Sequence, residues 1–124
     1  MRILMLSALL LAAMTAQARQ PSLDKELAGR TAARPTNCIQ QNFIDSSDTF
    51  DGAILYRMKS GPDYLNRPEQ CPLLRPGRGL ATSTPGTSLC RGDIVQIIDF
   101  TSHFNYGSCG LGDFVPYAKA KKPQ

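Results

Sequence analysis

The 124-residue sequence has no tryptophan, one histidine, and no two cysteines closer than 19 residues. A zinc site usually draws its ligands from close pairs of cysteine and histidine, and a redox-active dithiol usually forms a Cys-x-x-Cys motif. Neither pattern is present. Metal binding and dithiol redox chemistry are therefore not predicted, and no cofactor is expected.

Clustered basic residues are also missing from most of the chain. The formal net charge is +4, and the positive charges are scattered except for Lys119, Lys121 and Lys122 near the C-terminus. A nucleic-acid-binding surface needs a stripe of lysine and arginine, commonly with interleaved aromatic residues. The sequence therefore predicts no nucleic-acid partner, and residues 118–124 are expected to form a disordered basic tail.

The longest apolar run, Ile3 to Met14, is too short for a membrane anchor. It holds about a dozen residues, whereas a transmembrane helix needs roughly 20. Arg2 precedes the run, and Ala16-Gln17-Ala18 supplies a small-x-small cleavage site after it. Residues 1–18 are therefore predicted to be a cleaved signal peptide. The mature chain should be periplasmic or secreted, with no stable membrane anchor.

The four cysteines all follow the predicted cleavage site. An even number of cysteines in an oxidising compartment predicts disulfides, and four cysteines allow three pairings that the sequence does not distinguish. We favour Cys38 with Cys90 and Cys71 with Cys109. Loops of this length would each contribute about 4 kcal/mol in the chain-entropy model, so both disulfides should matter to the stability of a small domain.

The chain is expected to contain one folded unit. Residues 19–36 are predicted to be a flexible N-terminal lead-in with one helical turn around residues 23–27, and residues 37–117 to be a single disulfide-bonded β domain. Residues 38–44 have helix-like apolar spacing, which predicts a turn of helix or a tight loop. A turn is also expected near residues 102–108.

Short strands are the main elements expected in the β domain. The predicted strands are a run ending at residue 50, then residues 53–58, 64–66, 80–83, 94–98 and 111–115. Asp51-Gly52 is a hairpin dipeptide between the first two. Residues 94–98 are apolar on both faces except at Gln96, so this strand should be central, and Pro116 should end the last strand. The fold class is therefore mainly β, a small antiparallel barrel or sandwich of about five short strands.

Six segments between residues 37 and 117 form a combined pattern. They are Asn37-Cys38-Ile39, Asp51-Gly52-Ala53-Ile54-Leu55-Tyr56, Tyr64-Leu65-Asn66-Arg67, Cys71-Pro72-Leu73-Leu74, Leu89-Cys90-Arg91-Gly92-Asp93-Ile94 and the run from Gly107 to Tyr117. In this order they resemble a family of small, uncharacterised exported proteobacterial proteins. The resemblance implies a Gram-negative periplasmic or secreted setting and carries no activity, substrate or catalytic residue.

Several residues are candidates for a surface or pocket, although each also has a structural interpretation. The candidates are Tyr56, Tyr64, Asn66, Arg91, Asp93 and His103. Arg91-Gly92-Asp93 matches an integrin-binding tripeptide, but it lies between a cysteine and a strand, where a bend is the simpler interpretation. The two tyrosines and Asn66 could line a pocket, but aromatic residues in short strands are more often core residues.

Two further groups suggest chemistry. Asp99, Ser102 and His103 contain the ingredients of a nucleophile, a base and an orienting group, but catalytic triads are assembled in space from distant segments. Asp45, Asp48 and Asp51 lack the ligand spacing of a calcium loop. No catalytic residue and no metal ligand is therefore assigned.

Three functions follow from these observations. The favoured one is a non-catalytic binding or accessory envelope protein with an unknown protein or envelope partner. The second is a small periplasmic hydrolase that uses His103 with Asp99 or Asp113. The third is a secreted inhibitor or effector that presents the proline-rich loop from Cys71 to Gly86.

Overall fold

The computed structural model describes residues 22–119. The predicted signal peptide and residues 120–124 of the predicted tail lie outside the described residues. The elements are α1 (Leu23–Leu27), β1 (Cys38–Gln40), a 3-10 helix (Gln41–Phe43), β2 (Ile44–Phe50), β3 (Ala53–Met58), β4 (Asp63–Asn66), β5 (Gly79–Thr82), β6 (Ser88–Cys90), β7 (Ile94–Ile98), β8 (Asn105–Gly110) and β9 (Phe114–Tyr117).

The strands form three antiparallel sheets. The four-stranded sheet has the order β2-β3-β4-β9, the three-stranded sheet has the order β5-β7-β8, and β1 pairs with β6. Side chains from all three sheets share one core cluster, so the two larger sheets face each other as a sandwich and do not close into a barrel. The predicted mainly β, antiparallel fold is confirmed, with nine strands among the described residues where about five were expected.

The additional strands have no clear sequence signal. β1 and β6 are three residues long, which is too short to show alternation. β1 also replaces part of the helical turn expected over residues 38–44, although the 3-10 helix follows it directly. β8 contains asparagine, glycine and serine and begins inside the turn predicted near residues 102–108, because pairing with β7 overrides the turn preference of these residues.

The last strand is shifted from its predicted position. β9 starts at Phe114 and continues through Pro116, whereas the sequence placed it at residues 111–115 and ended it at the proline. β9 is the outermost strand of the four-stranded sheet, where a proline can direct its missing N–H away from the ladder. The carbonyl of Pro116 accepts a hydrogen bond from the N–H of Ala33 on the side away from β4.

The strand β3 separates two apolar clusters. Ile54, Tyr56 and Met58 face the main core between the sheets. Ala53 and Leu55 face the opposite side, in a second cluster with residues of β2 and β4. The Asp51-Gly52 hairpin is confirmed, because residues 50 and 53 are register partners and Gly52 has a φ of +70°. This turn sets the alternation that places apolar side chains on both sides of the sheet.

The strand β7 is central in the three-stranded sheet, and the predicted central position is confirmed. Val95 and Ile97 are fully buried, whereas Ile94 is 54% exposed and Gln96 is also exposed. One face of β7 therefore packs on the core and the other faces solvent, although an apolar residue, Ile94, lies on the solvated face.

The described part of the predicted flexible lead-in packs against the four-stranded sheet. We call residues 22–36 the N-terminal clasp. Leu23 and Leu27 of α1 pack on the second cluster, and the clasp makes isolated bridges to β9 at residues 32 and 36. Arg30 Nη2 lies 2.6 Å from Asp63 Oδ2, with the two side chains 2% and 5% exposed. The segment is held because it covers apolar surface and forms a buried ion pair.

The two disulfides are Cys38–Cys90 and Cys71–Cys109, which confirms the favoured pairing. The first joins register partners of β1 and β6, and the second ties the loop between β4 and β5 to β8. Two disulfides in a chain of this size fit a location outside the cytoplasm. Within residues 22–119, no helix has the length and hydropathy needed to cross a membrane.

Candidate functional site

The two candidate tyrosines are part of the main core. Tyr56 is 4% exposed, and its ring centroid lies 5.8 Å from that of Phe114. Burial raises the pKa of Tyr56, and its hydroxyl has no hydrogen-bond partner within the described part of the chain. Tyr64 is half-buried and packs on the same cluster. Neither tyrosine forms an open pocket with the other candidates.

Asn66 joins β4 to the segment that precedes β9. Its amide nitrogen donates to the carbonyl of Gly112 at 2.8 Å, and its side-chain oxygen accepts from the N–H of Gly112 at 2.9 Å. Asn66 is fully buried. A Cβ at Gly112 would lie 2.7 Å from the carbonyl oxygen of Arg67, so only glycine permits this approach. Asn66 therefore has a structural role, because both polar atoms of its side chain bind the backbone of Gly112.

Arg91-Gly92-Asp93 forms a tight turn that uses its own carboxylate. Asp93 Oδ2 accepts a hydrogen bond of 2.6 Å from the N–H of Cys90, and Gly92 has a φ of +88°. Arg91 Nη1 lies 3.2 Å from Asp113 Oδ1, and both side chains are largely exposed. An integrin-type site would need a free aspartate at a loop tip, whereas this aspartate closes the turn.

The structure brings three of the candidates together through one segment. The N–H of Gly92 donates to the carbonyl of Leu111, and the N–H of Leu111 donates to the carbonyl of Asp93, each at 2.9 Å. Asn66 holds the next residue, Gly112, and Arg91 pairs with Asp113. The candidates Asn66, Arg91 and Asp93 therefore meet around residues 111–113, where their contacts are those of a folded corner.

His103 lies in the loop between β7 and β8. It is exposed, has a φ of +60°, and its N–H donates to the carbonyl of Asp99 at 2.8 Å. Asp99 Oδ1 accepts from the N–H groups of Ser102 and Thr101, which lowers the pKa of Asp99. Asp113 lies beyond the other end of β8, roughly 20 Å of strand away. Asp113 therefore lies apart from His103, and the hydrogen bond between His103 and Asp99 joins their backbones.

One of the three aspartates considered for a calcium loop, Asp48, is engaged by an arginine. Asp48 Oδ2 accepts a hydrogen bond of 2.6 Å from Arg57 Nε. Within residues 22–119 no three histidine, cysteine, aspartate or glutamate side chains are grouped in a way that could hold a metal ion. Asp48 thus forms an ion pair on the four-stranded sheet.

A cleft of about 470 Å³ lies between α1, the end of β2 and the loop at residues 76–78. The charged residues that line it are Glu26, Asp48, Arg57 and Arg78. Glu26 Oε1 and Asp48 Oδ2 lie 2.7 and 2.6 Å from the guanidinium of Arg57. Because the guanidinium already contacts both carboxylates, these charges contribute mainly to holding α1 on the sheet.

The most exposed aromatic side chains are in the loop between β7 and β8. Phe100 is 68% exposed and Phe104 is 59% exposed. The ring of Phe104 meets that of Tyr106 edge-on at 4.9 Å between centroids, and Arg78 Cζ lies 3.6 Å from the Tyr106 centroid. Arg78 Nη1 also donates to the carbonyl of Leu73 at 2.6 Å. We call Leu73, Arg78, Phe100, Phe104 and Tyr106 the aromatic corner.

The loop that carries the two phenylalanines is held by its own hydrogen bonds. The N–H of Asp99 donates to the carbonyl of Phe104 at 2.8 Å, and the carboxylate of Asp99 accepts from the N–H groups of Thr101 and Ser102. Ser102 Oγ accepts from the N–H of Phe104 at 3.3 Å. The loop therefore holds the backbone of both phenylalanines in place while their rings face solvent.

Phe100 and Phe104 are not among the candidate residues predicted from the sequence. The pattern near residues 102–108 predicts a turn, and the candidate there is His103, which lies between the two phenylalanines. A usable signal was present, because two aromatic residues flank Thr101, Ser102 and His103 in a segment that is otherwise polar. Large apolar residues in a polar turn are candidates for contact with another molecule.

Comparison of the chain with protein-family models, with curated proteins and with solved structures finds no match.

Proposed function

We propose that this protein is a non-catalytic binding domain that acts in the periplasm or after secretion and contacts a protein partner through the aromatic corner. The observation that carries the proposal is the exposure of Phe100 and Phe104 on a loop closed by hydrogen bonds. The predicted signal peptide and the two disulfides support the location.

The loop leaves a large apolar surface in water. Complete burial of a phenylalanine side chain is worth about 1.5–3 kcal/mol, and more than half of the surface of each of these two residues is exposed. A partner that covers both rings would gain much of this free energy. The loop is already ordered, so less conformational entropy would be lost on binding.

The composition of the aromatic corner also fits a protein interface. Arginine, tyrosine and phenylalanine are enriched in the cores of interfaces, and tyrosine and arginine are frequent hot spots. Arg78 is stacked on Tyr106, which fixes a long side chain before any partner arrives. The corner therefore combines apolar area with a positioned cation.

The inhibitor or effector hypothesis is retained as a second candidate because of one observation. The proline-rich segment from Cys71 to Gly86, which the structure shows to contain β5, supplies Leu73 and Arg78 to the aromatic corner, and the Cys71–Cys109 disulfide ties its first residue to β8. An inhibitor presenting this loop would use the same surface. The hydrolase hypothesis has less support because His103 lies apart from Asp113 and the carboxylate of Asp99 is engaged by the loop.

The experiment compares partner capture by matched variants. Tagged mature protein is recovered from its native cell envelope, and the retained proteins are identified and quantified by mass spectrometry. The double variant Phe100→Ala, Phe104→Ala should retain at least tenfold less of a partner that the wild-type protein retains reproducibly. Phe43→Ala is the control, because Phe43 is 54% exposed on the 3-10 helix, outside the corner.

Folding of each variant is checked by circular dichroism and by the mass of the intact disulfide-bonded chain. Equal retention of the partner by the double variant and by wild type would contradict the proposal. Selective loss of the partner in Phe43→Ala would place the binding surface elsewhere.

A further inference from the structure

The two disulfides differ in burial. Cys71 and Cys109 are 6% and 9% exposed, and both belong to the main core cluster, so we call their bond the core disulfide. Cys38 is exposed and Cys90 is half-buried, and we call their bond the outer disulfide. Exchange begins only when a thiolate reaches a sulfur atom of the disulfide, so the two bonds should differ in reactivity.

The register of β1 and β6 explains why the outer disulfide lies outside the core. Ile39 and Leu89 are register partners, and they are 5% and 1% exposed within the main core. Successive side chains of a strand point to opposite faces. The adjacent partners Cys38 and Cys90 therefore project away from the core, on the outer face of this strand pair.

Open space lies beside the outer disulfide. Cys38 lines a cleft of about 260 Å³, and Gln40, Phe43 and Ser60 also line it. All four of these residues are exposed, so the cleft opens to solvent. A thiol can therefore approach Cys38 without any opening of the core.

We propose that the outer disulfide is a site of thiol–disulfide exchange with a dithiol, and that the core disulfide is a structural crosslink. A thiolate of the dithiol attacks Sγ of Cys38, a new S–S bond forms between them, and the bond to Cys90 breaks so that Cys90 leaves as a thiolate. The second thiol of the dithiol then attacks the mixed disulfide and releases Cys38. Two electrons pass from the dithiol to the protein, and the two thiol protons end on Cys38 and Cys90. The exchange does not involve the aromatic corner and is independent of the proposed function.

The charged groups beside Cys90 give an incoming thiolate no advantage there. Arg91 follows Cys90, but its guanidinium pairs with Asp113 at 3.2 Å. The carboxylate of Asp93 is also close, because it accepts a hydrogen bond of 2.6 Å from the N–H of Cys90. Exposure therefore decides which sulfur is attacked, and Cys38 is the more exposed of the two cysteines.

The fold should survive cleavage of the outer disulfide. Two backbone hydrogen bonds flank it, from the N–H of Arg91 to the carbonyl of Asn37 at 2.7 Å and from the N–H of Gln41 to the carbonyl of Thr87 at 2.8 Å. The core disulfide and the core side chains of β1 and β6 are untouched by the reaction. Reduction of the outer disulfide can therefore proceed from the folded protein, whereas reduction of the core disulfide requires the core to open.

The test follows the order in which the cysteines are released. Mature protein is incubated with dithiothreitol at neutral pH, and samples are quenched with iodoacetamide and analysed by intact-mass and peptide mass spectrometry. The first product should carry alkyl groups on Cys38 and Cys90 only, and should form at least tenfold faster than the fully reduced chain. Simultaneous release of all four cysteines, or earlier alkylation of Cys71 and Cys109, would overturn the inference.

The dependence on urea distinguishes reduction of the folded protein from reduction after unfolding. Below the unfolding transition, the rate for the outer disulfide should change little with urea. The rate for the core disulfide should rise with the population of opened protein. An equally steep dependence for both bonds would show that the outer disulfide also reacts only after unfolding, which contradicts the proposal.

Glutathione identifies the attacked sulfur, because a monothiol leaves a mixed disulfide on it. The glutathione should be found on Cys38, and its predominance on Cys90 would refute the assigned direction of attack. The double variant Cys38→Ser, Cys90→Ser is the matched control, because it retains only the core disulfide. It should release no thiol over the interval in which wild type releases two, and rapid release would show that the core disulfide is not protected by the fold.

Discussion

The ion pair between Arg30 and Asp63 should control the stability of the whole domain through the clasp. The atoms Nη2 and Oδ2 lie 2.6 Å apart, and both side chains are at least 95% buried. Asp63 Oδ1 also accepts a hydrogen bond of 3.0 Å from the N–H of Met58. Asp63→Asn removes the charge while keeping the shape of the side chain, so the buried guanidinium keeps only the more distant and partly exposed Glu26, at 3.8 Å, as a counter-ion.

The expected loss can be estimated from the burial of the pair. Breaking a buried pair by removing one partner typically costs about 3–5 kcal/mol. A domain of this size is stable by about 5–15 kcal/mol, so the loss is a large fraction of the total. The assay is urea unfolding of wild type and Asp63→Asn at neutral pH. Amide exchange in residues 31–36 should also accelerate as the clasp detaches.

The control is Asp113→Asn, which removes an exposed partner of Arg91. Those side chains are 56% and 40% exposed, and exposed pairs contribute about 0–1 kcal/mol. A loss below about 1 kcal/mol in Asp63→Asn, similar to that of the control, would refute the reasoning that the clasp is held by the buried pair.

A fall in pH should break the same ion pair between Arg30 and Asp63. Burial raises the pKa of Asp63. The hydrogen bond from Met58 and the interactions with Arg30 and Lys119 lower this pKa by more than burial raises it, so the pKa of Asp63 lies below its ordinary value of 3.8. A lowered pKa means that the stabilisation is present above the ordinary value and is lost as the pH falls through the folded-state pKa. Wild type should therefore lose stability below about pH 4, and Asp63→Asn should lose less over that interval.

Three further substitutions test individual contacts by chemical denaturation. Gly112→Ala should lower the free energy of unfolding by about 1–3 kcal/mol because the new Cβ meets the Arg67 carbonyl. Gly110→Ala should lower it by less, because a Cβ there would lie 4.0 Å from its nearest neighbour. Equal losses of stability in the two variants would contradict this reasoning. Tyr56→Phe should be neutral or stabilising because it removes a buried hydroxyl without a described partner, and a loss above about 1 kcal/mol would show that the hydroxyl is bonded. His103→Gly should stabilise by up to about 1 kcal/mol because φ is +60°, and destabilisation would show that the imidazole contributes to the fold.

Local signals in the sequence were sufficient for part of the fold. The Asp51-Gly52 hairpin depends on two adjacent residues, and its predicted turn is confirmed. The favoured disulfide pairing is also confirmed, but the sequence could not exclude the other two pairings. The choice depends on the pairing of β1 with β6, which places Cys38 opposite Cys90, and two three-residue strands leave no readable pattern.

The clasp could not be predicted because its contacts are distant in sequence. Arg30 and Asp63 are separated by 33 residues, and the polar composition of residues 19–36 is the same whether the segment is free or packed. The strand β8 was missed for a related reason. Its glycines and serine favour a turn locally, while the ladder with β7 and the disulfide at Cys109 determine the observed conformation.

The candidate site was predicted only in part. Three of the candidates do lie together, namely Asn66, Arg91 and Asp93. Their polar atoms form hydrogen bonds with backbone groups or an ion pair with Asp113, and the sequence does not show these contacts. The exposed phenylalanines were overlooked because exposure is a property of packing. Ile97 of β7 is buried, whereas Phe100, three residues later in the following loop, is largely exposed.

The most direct test of the account is the amount of envelope partner retained by the Phe100→Ala, Phe104→Ala double variant relative to Phe43→Ala. The amount should be at least tenfold lower for the double variant, with both proteins folded and both disulfides intact. Equal amounts retained by the two would contradict the claim that the aromatic corner is the binding surface.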